Sequence, residues 1–114
     1  MNAPATIQTP STAMAPIIFE AIVRQLCVTA QYNGGGVMLA PHAIFNRHGE
    51  LYVAAITIAR DGNPPREPKV GLFKLDGLGD LALSNKGFEI SALFDRNDPR
   101  YAAETLMAVE PSAA

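Results

Sequence analysis

Tyr32, Tyr52 and Lys74 are the side chains of this sequence best placed to hold a ligand. Tyr52 sits mid-strand in Gly49-Glu50-Leu51-Tyr52-Val53. Its ring could stack on a base or another flat molecule, a contact worth roughly 1–3 kcal/mol per stacked base. The competing role is that of an amphipathic core residue, with its ring buried and its hydroxyl bonded. Tyr32 precedes the turn Asn33-Gly34-Gly35-Gly36, which leaves it within reach of solvent. Lys74 alternates with Val70 and Leu72, so it projects from an apolar strand face. A lysine there is either a snorkelling edge residue or the cation of a pocket. His42, after Pro41, together with Arg47 and Lys69 completes the candidate ligand-binding set. With Arg66, the last two would form the rim of a basic site, or else are solvated charges.

Other chemistry is harder to build. Cys27, His42 and His48 show no close paired spacing for a metal, and no acidic cluster joins them. Cys27 lies between Leu26 and Val28 with nothing to orient a base, so it reads as a small buried hydrophobe. Neither Gly34-Gly35-Gly36 nor Gly77-x-Gly79 opens a helix, which makes them turns and not phosphate cradles. No enzyme constellation, metal or cofactor is expected.

These residues belong to a chain of 114 residues, enough for one domain, and its 48% apolar content suits a single packed core. The net charge of −2 lacks the basic excess that supplies most of the affinity of dedicated nucleic-acid binders. One cysteine excludes an internal disulfide. No apolar run is long enough to span a membrane, and the start shows no secretion signal, so a cytoplasmic location is expected.

The elements follow from periodicity. Residues 1–15 have little to bury and read as a disordered tail, with a single domain over 16–110. Pro16 suits a first helical turn, and Ile18, Ala21, Ile22 and Leu26 predict a helix over 17–26, with Glu20 and Arg24 paired. Period-two patterning then predicts five strands: 28–32, 37–40 continued by 44–46, 51–60, 69–75 and 78–84. Both faces of 51–60 are apolar, so both must be covered. Residues 61–68 form a proline-rich loop. Asp98-Pro99 signals a short C-terminal helix with Tyr101, Ala102, Thr105, Leu106 and Val109 inward. The fold class expected is mainly β (α+β): a small, closed five-stranded barrel with an N-terminal helix and a short C-terminal helix.

Residues 17–88 resemble the WYL domain of bacterial transcription regulators. The resemblance is carried by Ala21-Ile22 in the first helix, the strand ending at Tyr32, and Leu39-Ala40-Pro41-His42-Ala43-Ile44. It continues through the tripeptide Leu51-Tyr52-Val53 after Gly49, then Phe73-Lys74-Leu75-Asp76-Gly77-Leu78, and finally Phe88. It implies an Sm-like barrel that senses single-stranded nucleic acid or a small anionic effector and acts through a partner regulator protein. No helix-turn-helix domain precedes it here, so a standalone WYL-like module is expected. The sequence departs from the family at Leu51 and Val53, which replace the tryptophan and leucine of the tripeptide. Lys74 and Gly77 replace the two arginines of the closing motif. Lysine does not reproduce the flat fork of arginine. That loss favours a second reading, a protein-interaction or homo-oligomerisation module using its sheet edges.

Overall fold

The apolar spacing of Ile18, Ala21 and Ile22 continues one turn upstream, where Ala15 is buried and Met14 packs on the same cluster. Helix α1 therefore spans Pro10–Arg24 in the computed structural model, which describes residues 10–110. It begins seven residues before the expected start, so 10–15 are helical, and Pro16 lies inside the helix. The first nine residues of the expected tail lie outside the described residues. The Glu20–Arg24 pair forms on the exposed face at 2.6 Å. Gln25, at φ 52°, turns the chain out of α1, and its carbonyl accepts from the Phe88 amide at 2.9 Å.

Six antiparallel strands follow: β1 (Leu26–Tyr32), β2 (Gly35–Arg47), β3 (Glu50–Arg60), β4 (Val70–Lys74), β5 (Gly79–Gly87) and β6 (Thr105–Ala108). Three tight turns, Asn33-Gly34, His48-Gly49 and Asp61-Gly62, have both residues at positive φ. That is the type I′ geometry whose twist matches the strands it joins. Asn, His and Asp are the non-glycine residues that tolerate this region best.

Order across the sheet is β4-β3-β2-β1-β5, with β6 also on β2. β2 is one long strand, not two pieces. Its pairing with β1 ends at Leu39, and its pairing with β6 begins at Ala43. Pro41 falls in the gap between them, where its missing N–H leaves no neighbour unsatisfied. The β2–β3 register shifts between Pro41↔Ala55 and Ala43↔Ala54, so His42 is the extra residue of a bulge. As its patterning requires, β3 is covered on both sides. Val53 and Ala55 pack in the main core beneath α1, whereas Ala54 packs in a second cluster with Ala43, Phe45 and Tyr101.

Two expectations are corrected. The sheet is not closed by hydrogen bonds: β4 pairs only with β3 and β5 only with β1. A 3₁₀ turn, Leu75–Gly77, nevertheless links these two edges. Only five peptide steps separate Lys74 from Gly79, a reach of at most about 18 Å. The sheet therefore curls strongly, and buried Leu75, Leu78 and Leu81 fill the space between its edges. The C-terminal helix is replaced by a 3₁₀ turn, Ala102–Glu104, and strand β6. Asp98 does start one turn, accepting from the amides of Tyr101 and Ala102 at 3.1 and 2.9 Å. The unpaired edge of β2 at 43–45 then captures the chain, because a ladder satisfies both strands' backbone groups at once.

Candidate ligand site at the β2–β3 hairpin

Counting back from the His48-Gly49 turn sets Arg47 against Glu50 and Phe45 against Tyr52, with Lys74 beside Tyr52 on β4. Alternation puts all five on one face of the sheet. The Phe45 and Tyr52 rings stack at 5.7 Å with an angle of 22°, and the Arg47 guanidinium lies 5.7 Å from the Tyr52 ring centre. Such a cation–ring contact contributes about 0.5–1 kcal/mol at an exposed site. Arg47 makes no ion pair among the described residues. Lys74 does: its ammonium sits 2.5 Å from Glu50, which raises its pKa above the ordinary lysine value by hydrogen bonding and charge.

Behind Arg47 a cleft of about 270 Å³ opens between the hairpin and the chain preceding β6. Asn46, Arg47, His48, Arg100, Tyr101 and Glu104 line it. Arg100 is held by Asp98 at 2.9 Å, and this pairing keeps the Asp98 carboxyl below its usual range. Tyr101 is buried, its hydroxyl donates to the Asp95 carbonyl at 2.7 Å, and burial pushes its pKa up. The arrangement offers one uncommitted guanidinium fork over an aromatic ring, next to a small recess. It can hold an anion with a flat group attached. Among the described residues no His, Cys, Asp and Glu side chains gather as metal ligands, and no helix is long and apolar enough to cross a membrane.

The structure brings together three of the six residues singled out from the sequence: Arg47, Tyr52 and Lys74. Tyr32 lies with the main core beneath α1, half-buried and edge-on to Phe73 at 5.2 Å, away from Tyr52. Lys69 is exposed just before β4, about 17 Å along the strand from Lys74 at ordinary strand rise. His42 is only 1% exposed and does not reach the surface where the other three meet. Its Nδ1–H donates to the Ala40 carbonyl at 2.8 Å, and its Nε2 accepts from the Ser91 amide at 3.0 Å. Both nitrogens are satisfied only in the neutral ring. Burial, opposed by the Ala40 carbonyl, lowers its pKa. Cys27 is buried too, and burial raises its pKa.

The sequence marks none of Phe45, Glu50, Arg100 and Tyr101 as site residues, although it places Tyr101 on an inward-facing stripe. A two-residue turn at His48-Gly49 would have revealed the first two, because it fixes the 45↔52 and 47↔50 pairs by counting alone. Nothing local marks the other two, which arrive from the far end of the chain. Compared with profiles of known protein families and with curated protein sequences, the chain matches none.

Proposed function

We propose that this chain is a non-enzymatic, WYL-like ligand-sensing domain that captures a small anion bearing a flat group and signals its capture through a partner regulator. One observation carries this reading: an unpaired arginine fork poised over the Tyr52 ring at the mouth of a recess. The curled sheet, with a 3₁₀ turn bridging its two edges, is in keeping with an Sm-like barrel that is open along one seam. Charge placement favours a small anion over single-stranded nucleic acid. A strand-tracking groove needs several phosphate contacts in a row. Here Lys74 is neutralised by Glu50, Lys69 lies remote, and Glu104 lines the cleft.

Benzenesulfonate is a suitable probe, since it joins a flat ring to a permanent anion. Titrated into ¹⁵N-labelled protein, it shifts the amides of Arg47, Gly49 and Tyr52, and Arg47→Met abolishes those shifts. Shifts scattered over the surface, or unchanged in Arg47→Met, sink the reading. A labelled oligonucleotide at two salt concentrations separates the nucleic-acid version, which requires tight binding with a steep salt slope.

The second reading, an interaction module, draws on the outer edges of β4 and β5, each paired on one side only. Unpaired edges accept strands from other chains. A concentration-independent oligomer in light scattering, with no response to benzenesulfonate, would favour it.

A further inference from the structure

Of the two histidines, both among the described residues, His42 alone is buried, and it stands at the bulge where β2 passes from β1 to β6. It accounts for much of what holds segment 88–104, the run between β5 and β6. The Ser91 amide donates to its Nε2, and Phe88 and Phe94 pack on its ring at 4.9 and 5.3 Å. Its own carbonyl accepts from the Val109 amide at 2.8 Å. The contacts continue outward. Phe94 stacks on Tyr101 at 5.9 Å, Tyr101 lies 5.1 Å from Phe45, and Phe45 stacks on Tyr52. An unbroken file of rings thus joins the buried imidazole to the proposed ligand face.

We propose that segment 88–104 is a strap latched by neutral His42 and released when that imidazole is protonated, and that release is felt at Tyr52; the second half rests on the ligand-site reading above. Protonation puts a second N–H on Nε2, facing the Ser91 N–H donor, and places a charge in an apolar pocket. The ionisable groups on the surrounding elements are Cys27 and Tyr32 on β1, Arg47 on β2, Glu50, Tyr52 and Arg60 on β3, Asp80 and Lys86 on β5, Glu89, Asp95, Arg96, Asp98, Arg100, Tyr101 and Glu104 on the strap, and Glu110 beyond β6. None of them is a cause of the His42 shift, which comes from burial and the Ala40 carbonyl. The other end of the strap is pinned independently of pH, by the two hydrogen bonds between Gln25 and Phe88. Release therefore begins at Ser91 and runs towards Tyr101.

The sign is fixed by the direction of the shift. The latched ring holds its proton less tightly than a free histidine, so the latch is complete above the ordinary histidine pKa of about 6.5 and weakens as pH falls below it. Amide exchange of the full chain at about pH 7.5 and about pH 5 tests this. Corrected for intrinsic rates, protection of Ser91 drops by about tenfold per pH unit until the latched pKa is passed. Amides of the β1–β2 pair open at a higher free energy than Ser91 at both pH values. In His42→Phe, Ser91 is weakly protected at both pH values, and where that variant does not fold the wild-type comparison stands by itself. Unchanged Ser91 protection after the His42 ring has titrated overturns the latch. Opening of Ser91 and of the β1–β2 amides at one and the same free energy also overturns it, as whole-domain unfolding.

The coupling is read with benzenesulfonate in a His48→Asn background, which removes the exposed imidazole beside the cleft. Affinity at the lower pH falls by about threefold, the low end of coupling between contacting groups. Equal affinity at both pH values overturns the coupling and spares the latch. Absence of binding at either pH overturns the ligand reading, and the coupling with it.

Discussion

Two regions of β2 carry residues of the same chemical kind and put them to opposite uses. At the bulge, His42 has both ring nitrogens matched and almost no exposure. At the hairpin end, Arg47 is exposed with no carboxylate partner among the described residues, and Tyr52, beneath it on β3, is covered only in part. A buried polar group left unmatched costs about 1–3 kcal/mol, so the interior tolerates His42 only because it is fully bonded. A solvated guanidinium bears no such penalty and stays available. The contrast teaches that the type of a residue says less about binding than whether its bonds are already spoken for.

The largest test of this contrast is Phe45→Ala, at the buried ring between the two regions. It should destabilise the domain by about 3–5 kcal/mol in denaturant unfolding and disturb both ends together. His42→Ala comes next, with about 3 kcal/mol lost through a cavity and an orphaned Ser91 amide, and with ligand affinity altered only indirectly. A measured loss below about 1 kcal/mol would put His42 in the same class as the hairpin residues. Wild-type unfolding free energy should decline as pH falls below about 6.5, because the unfolded histidine binds its proton more tightly. In His42→Phe that component of the slope should vanish.

Arg47→Met should change stability by no more than about 0.5 kcal/mol while removing the benzenesulfonate response, the reverse of the His42 pattern. The smallest effect is expected from Glu50→Gln. Freed from its carboxylate, Lys74 should titrate nearer to the ordinary lysine value, and anion binding should tighten without a shift in the unfolding midpoint. Weaker binding would instead make Glu50 part of the site.

Much of the architecture could be read directly from the chain. The three turns announce themselves as Asn, His or Asp followed by glycine, and the stripe at Ile18, Ala21 and Ile22 fixes the buried face of α1. What escaped was decided by distant partners. Asp98-Pro99 does begin a turn, yet Thr105-Leu106-Met107-Ala108, three of whose residues favour helix, is drawn instead onto the vacant edge of β2. Pro41 stands inside β2 and is tolerated because that stretch borders neither β1 nor β6. The same logic governs the site. Register placed Tyr52 and Arg47 together, whereas Tyr32 lies with the main core beneath α1 and Lys69 stands five residues from Lys74 along the chain.

The three two-residue turns also bear on how the chain finds its shape. Between β1 and the end of β3, every strand pairs with the one just made, so closing each loop costs little entropy. Leu26 meets Gly87, and Ala43 meets Ala108, only across most of the chain. The central meander should therefore assemble first, with β5 and β6 docking afterwards onto a template already formed. Substitutions in β6 would then quicken unfolding while leaving the refolding rate nearly untouched.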